Sequence, residues 1–282
     1  MSRLEITAVH RYLFRTPTPP APTGSVVRIF THCRPMATHV RIDRLLVERD
    51  LFESRAKAQA AIAAGRVTAD DVLITKPSQE VSTAAVLHAE PAHPYVSRGG
   101  VKLAAALDHF HCDPLFDPRG RVCLDVGAST GGFTEVLLAR GARRVYAVDV
   151  GRDQLHSRLR ARPEIVSIEG VDIRSLDPAL LPERPEFVTI DVSFISLKLA
   201  LPAVLDRLQS PAHLLALIKP QFEAGRSHVK KGIVRDPLVH IAVCDDIASF
   251  VASRGCCLHG IFPSPISGGD GNREFFIGAH RT

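Results

Sequence analysis

The run Cys123-Leu124-Asp125-Val126-Gly127-Ala128-Ser129-Thr130-Gly131-Gly132-Phe133 constrains the fold more than any other stretch of the chain. Arg121–Val126 is apolar enough for a buried strand, and Gly132–Arg140 has helical spacing. Between them the glycines permit positive φ and let the backbone approach a ligand closely. Ligands of open α/β sheets sit beyond the carboxyl ends of the strands, where such a turn lies. The spacing, D-x-G-x-S-x-G-G-F, differs from the G-x-G-x-x-G of dinucleotide-binding turns.

Strands and helices then alternate. Arg144–Asp149, Ile165–Glu169, Phe187–Asp191 and His213–Lys219 read as strands, as do segments near Cys257–Pro263 and Arg273–Ala279. Leu197–Leu208 and Pro237–Ser253 read as helices. That order predicts an α/β fold with a mainly parallel sheet and helices on both faces. Asp149 ends the second strand, where a carboxylate commonly accepts a ribose hydroxyl. Asp172 follows the third strand and is placed to meet an adenine. A nicotinamide-binding fold would use an acid at the second strand end equally well. The glycine run, however, resembles motif I of the class I methyltransferases. That resemblance implies S-adenosylmethionine as cofactor, held by Asp125, Gly127, Ser129, Thr130, Gly131, Gly132, Phe133, Asp149 and Asp172.

Upstream the organisation changes. Residues 1–37 read as an extension expected to be disordered, because Thr16–Gly24 is too rich in proline for helix or central strand. Met36, just before the first patterned segment, is a candidate true start, with the preceding residues a start-site artefact. Residues 38–90 read as a small α+β domain. Ile42, Leu45 and Leu46, then Ala56, Ala60, Ile62 and Ala63, have helical spacing. Ser54 is placed as an N-cap and Gly65 as a C′ residue. Val72–Ile74 and Ala85–Leu87 read as short strands. Pro91 and Pro94 mark a linker over residues 91–97, and the larger domain is expected over 98–282.

Charge argues less for nucleic acid than the pI near 9 implies. The net charge is +5, but residues 1–35 hold five Arg and one Glu. Little net charge remains for the rest, so a basic face must arise from placement. No apolar run approaches the ~20 residues of a membrane span. No apolar h-region of a signal peptide forms near the start. The six cysteines include no Cys-x-x-Cys pair, so no metal is expected, and a reduced cytoplasmic protein is the simpler reading.

Two lysines and two carboxylates fall where the sheet's ligand-binding edge is expected. Lys102 lies in Ser97-Arg98-Gly99-Gly100-Val101-Lys102, Asp191 ends the fourth strand, Lys219 ends the fifth, and Glu274 begins the last. Taken singly, Lys102 or Glu274 would be an ordinary solvated charge. Together they suit methylation of a ribose hydroxyl. Methyl displacement is in-line and rewards positioning. The hydroxyl is a poor nucleophile and needs a base. Lys219 is the candidate base, held by Asp191. Lys102 would stabilise developing alkoxide, and Glu274 would orient Lys102 or the ribose.

These residues together resemble the TlyA-type rRNA methyltransferases, also called haemolysin A-like, whose catalytic domain is related to the FtsJ family. The strings Ser97-Arg98-Gly99-Gly100, Lys231-Gly232-Ile233-Val234-Arg235 and Gly271-Asn272-Arg273-Glu274-Phe275-Phe276 carry the same likeness. The resemblance implies a K-D-K-E tetrad at Lys102, Asp191, Lys219 and Glu274. It also implies 2′-O-methylation of ribosomal RNA, with cytidine as target and ribosomal subunits or their RNA as partner. An N-terminal domain like that of ribosomal protein S-four is implied as well, with Arg44, Arg55, Lys57 and Arg66 on phosphates. Against that stands a solvated helical face, since residues 36–98 carry eight basic and eight acidic side chains. The linker departs from the family's R-x-W-V-S string, reading His93-Pro94-Tyr95-Val96-Ser97. Other readings are a non-catalytic RNA-binding or ribosome-assembly factor, a membrane-active haemolysin and a small-molecule methyltransferase.

Overall fold

A computed structural model of the chain describes residues 38–111 and 113–282. The expectations for residues 1–37, including disorder and the start at Met36, lie outside the described residues. The described residues form two compact units, one ending at Ala89 and one beginning at Glu90.

The first unit contains β1 (His39–Arg41), α1 (Ile42–Glu48), α2 (Arg55–Ala63), β2 (Val67–Ala69), β3 (Val72–Leu73), β4 (Glu80–Ser82) and β5 (Leu87–Ala89). β1 pairs antiparallel with β4, and β2 lies between β3 and β5. Ser54 caps α2 by accepting the Lys57 amide at 3.3 Å, and Gly65 takes the left-handed φ of 68° that ends it. Ile42, Leu45, Leu46, Phe52, Ala58, Ala61, Ile62 and Ile74 form the core. In the first turn of α1, Asp43 is fully buried and accepts from Arg41, Arg55 and Gln59.

One expectation changes here, and three strands are added. The strand read at Ala85–Leu87 starts instead at Leu87, because Ala85 closes a turn onto the Ser82 carbonyl and is buried. β1, β2 and β4 were not legible, being three residues each and too short for a period to show.

The second unit opens with α3 (Arg98–His109), then β6 (Val122–Val126), α4 (Gly132–Ala139), β7 (Arg144–Asp149), α5 (Ser157–Arg160) and β8 (Ile165–Glu169). β9 (Phe187–Ile190), α6 (Leu197–Leu205), β10 (Ala212–Ile218), α7 (Pro220–Glu223), α8 (Pro237–Ser253), β11 (Cys256–Pro263) and β12 (Phe275–Arg281) follow. The seven strands are ordered β11-β12-β10-β9-β6-β7-β8. The five from β10 to β8 run parallel, and β12 is antiparallel to both neighbours. Burial on both faces explains why β10 is apolar apart from His213. Leu103, Leu107, Phe133 and Leu137 of α3 and α4 cover one face. Leu201, Val204, Val243 and Ile247 of α6 and α8 cover the other. Each such side chain contributes roughly 1.5–3 kcal/mol.

Sequence reasoning assigned no element to 98–109, because Gly99 and Gly100 weaken a helical reading. α3 tolerates them because space demands them. A Cβ at Gly100 would run into the Tyr95 ring, and one at Gly132 would come within 2.9 Å of the Gly100 amide nitrogen. Gly100 thus makes room for Tyr95, and Gly132 lets α4 lie close on α3.

Candidate active site

The parallel order places the carboxyl ends of β6, β9 and β10 side by side, and the antiparallel β12 starts at the same edge. Register does the rest. Ile218 pairs with Phe275, so Lys219 and Glu274, each one residue outside the ladder, leave adjacent strand ends. Glu274 therefore precedes β12 rather than beginning it. Asp191 likewise follows the last residue of β9, beside β10.

Two lysine–carboxylate pairs result, with both lysines and Glu274 buried and Asp191 partly exposed. Lys102, on α3, lies 2.5 Å from Glu274, and both are under one-tenth exposed. Lys219 lies 2.6 Å from Asp191 Oδ1 and donates to Ser193 Oγ at 2.7 Å. That Oδ1 is buried and sits off the hydrogen-bonding direction, so Asp191 acts on Lys219 chiefly through charge. Burying two cations demands such partners, since an unpaired buried charge is costly.

Beside Asp191 opens a cleft of about 350 Å³, lined by Gly127, Ser129, Asp149, Asp172, Asp191 and the loop Val192–Ile195, with walls of Val126, Val148, Val150, Val171 and Ile173. Its size and mostly apolar walls with a few acids suit a nucleoside-sized ligand. Asp149 is held by the amides of Ser129 at 2.8 Å and Gly151 at 2.7 Å, one on each oxygen. Each oxygen keeps a lone pair for a ribose hydroxyl. Asp172 accepts from the Arg174 guanidinium, which holds its carboxyl below the usual range. Gly127 has φ 84°, and a Cβ there would strike the Asp191 carbonyl. Only glycine lets β6 and β9 close at this point.

The structure gathers Gly127, Ser129, Asp149 and Asp172 on the cleft, but not the other cofactor candidates. Asp125 is fully buried, accepting hydroxyls from Thr134 at 2.6 Å and Thr189 at 3.1 Å, and burial pushes its carboxyl up to about 7. It joins β6, β9 and α4 and does not line the cleft. Gly131 caps α4 with φ 95°, where a Cβ would crowd Leu155 and Leu159. Gly132 packs against α3, and Phe133 is buried against Phe276. Thr130 does not line the cleft either. These residues build the turn that the cleft residues require.

In the first unit, Arg44 and Arg66 are exposed. Arg55 is bound to Asp43 at 2.7 Å, and Lys57 to Glu53 at 2.5 Å. Both keep substantial exposure, at 53% and 40% of their side chains.

A model of the FtsJ-like methyltransferase matches residues 95–281, and one of the S4 domain matches residues 40–87. The chain belongs to the FtsJ-like methyltransferase family. It is 41% identical over 245 residues to the 16S/23S rRNA (cytidine-2′-O)-methyltransferase TlyA of Mycobacterium tuberculosis, covering 86% of this chain and 90% of that protein. It is 36% identical over 238 residues to Hemolysin A of Brachyspira hyodysenteriae, covering 84% and 98%. The solved structure of a candidate hemolysin from Streptococcus thermophilus is similar at TM-score 0.68 and 39% identity, covering 86% and 89%.

Within the FtsJ-like unit, sequence reasoning missed the loop after Asp191. Ser193 is the hydrogen-bond partner of Lys219, and Phe194 stands at the cleft rim with φ 67° and 87% exposure. Its ring lies 5.3 Å from that of Phe222. An apolar residue straight after a strand reads as core, so nothing in the pattern distinguishes an exposed ring. Gln154 was missed too, because it reaches the cleft from the loop after β7.

Proposed function

We propose that this chain methylates the 2′-hydroxyl of a cytidine ribose in ribosomal RNA, with S-adenosylmethionine as cofactor. The pairing of Lys219 with Asp191 and Ser193 beside the cleft carries the reading. The cofactor supplies a methyl group on a cationic sulfur. Asp149 holds its ribose, the valine and isoleucine walls enclose its base, and Asp172 meets the base edge. Lys219 acts from its neutral amine form: it first gives up a proton to solvent and then takes up the proton of the substrate hydroxyl, with Ser193 fixing its direction and Asp191 holding it by charge. Lys102, oriented by Glu274, stabilises negative charge on the attacking oxygen. Phe194 offers its face to the target base once that base leaves its stack.

RNA is held by both units. In the S4 domain, Arg44, Arg55, Lys57 and Arg66 contact phosphates, which position RNA without reading its sequence. In the FtsJ-like unit the segment Gly225–Arg235 contains no acid, and Arg226, Lys230, Lys231 and Arg235 are exposed. The segment turns at Lys231 and Gly232, with φ of 50° and 77°. Buried Asn272 anchors it through the Val234 amide at 3.0 Å and the Gly232 carbonyl at 2.8 Å. Action on ribosomal subunits places the protein in the cytoplasm. Among the described residues no helix is long and apolar enough to cross a membrane.

The test is transfer of labelled methyl to ribosomal subunits and free rRNA, with nucleoside mass spectrometry. Lys219→Ala is expected to lose at least about 100-fold in rate, the lower end of what a general base supplies. Its cofactor affinity is expected to stay within a few fold. Undiminished transfer by Lys219→Ala, or no transfer by the native protein to any RNA, would overturn the reading.

A further inference from the structure

The loop from Asp191 to Ile195 carries the groups that meet Lys219, yet its far end has no strand to hold it. Ile195 and Leu197 pack there on the core, and among the described residues the side chain that ties that end to α7 by hydrogen bonds is Glu223. Glu223, four residues beyond Lys219, accepts the Leu197 amide through Oε1 at 2.6 Å and the Ser196 hydroxyl through Oε2 at 2.6 Å. Ser196 also caps α6 by accepting the Lys198 amide at 3.1 Å. Lys219 grips the near end through Ser193 and Asp191. The loop is thus stapled at both ends to the single short segment Lys219–Glu223, whose Pro220 restricts its backbone.

We infer that Glu223 is a positioning residue for methyl transfer: it fixes the loop after β9 so that Asp191 and Ser193 meet Lys219, while itself lining no part of the cleft. A carboxylate is a costly choice at a partly buried site, and burial pushes the Glu223 carboxyl up. Capping α6 does not require it, because Ser196 already caps that helix. What Glu223 adds is a bond between α7 and the loop. The inference rests on the methyltransferase reading for its catalytic consequence but not for the staple itself.

The experiment compares Glu223→Ala and Glu223→Gln in the full chain. Glutamine can accept from the Leu197 amide and donate to the Ser196 oxygen, so it should preserve the staple. Glu223→Ala is expected to speed amide hydrogen exchange across residues 192–197 at least about tenfold. Its kcat should fall about tenfold, or 1.4 kcal/mol, with the KM for S-adenosylmethionine within about threefold. Glu223→Gln should stay near the native values in both assays. Native kcat or native exchange in a folded Glu223→Ala overturns the inference. So does equal loss of kcat in both variants with exchange unchanged, which would assign the effect to charge. If the native protein methylates no RNA, the functional reading fails, and the exchange comparison still decides the staple.

Discussion

Asp125 shows how one side chain can share a motif with cleft-lining residues and serve another end. It sits in the strand that feeds the glycine turn, but the strand's alternation aims it inward, where Thr134 and Thr189 take both oxygens. Burial is the first cause of its raised pKa of about 7. Its ordinary value lies near 4. A carboxyl raised on folding binds more protons in the folded state. Its contribution to stability is therefore full below pH 4 and lost as pH rises toward 7. Asp125→Asn keeps a donor and an acceptor for the two threonines and removes the titration. Denaturant titrations between pH 4 and 7 should show native stability falling by a few kcal/mol relative to Asp125→Asn, at ~1.4 kcal/mol per unit. Parallel curves would place the carboxyl at its ordinary value.

At the scale of elements, short helices and strands are held by polar contacts their own sequences do not announce. α1 has seven residues and would not persist alone. Buried Asp43 ties it to α2 through Arg55 and Gln59, and to β1 through Arg41. The Arg41 hydrogen bond is the first cause holding the Asp43 carboxyl well below the usual range. The linkage has the opposite sign to that of Asp125: this stabilisation is present above about pH 4 and lost as pH falls further. Asp43→Ala should lower the melting temperature of the first unit by roughly 5–10 °C, read by calorimetry at neutral pH. An unchanged transition would show that the core alone holds α1 and α2. The α3–α4 contact rests on a different device, the absence of a side chain at Gly132.

At the scale of the whole molecule, chemistry and RNA grip are separable by salt. The lysines of the candidate active site are buried in pairs, whereas Arg44 and Arg66 are exposed on the S4 domain. Phosphate contacts release counterions, so each one lost should flatten the dependence of log affinity on log salt by about 0.7–0.9. Arg44→Ala with Arg66→Ala is expected to weaken RNA binding and reduce that slope by about 1.5, with cofactor affinity unchanged. Lys219→Ala should leave the slope intact. Filter binding of rRNA fragments from 50 to 200 mM salt checks both. A slope unchanged by the arginine pair would move the RNA surface away from α1 and the α2–β2 turn.

Residues alone announce the alternation of the larger unit's main strands and helices, the mainly parallel sheet, the glycine turn and the acids at the end of β7 and after β8, and they mark Lys102, Asp191, Lys219 and Glu274 as candidates for one sheet edge. Those are local signals: apolar runs of strand length, helical spacing, and glycines where the backbone must turn. The partners come from packing. Lys102 found Glu274 across more than half the chain because α3 packs on α4 and β12 inserts antiparallel beside β10. Gly131, Gly132 and Phe133 turned to packing, Phe194 turned outward, and Glu223 reached back to α6. Such contacts depend on strand register and helix approach, which link residues far apart in sequence and leave no period to read.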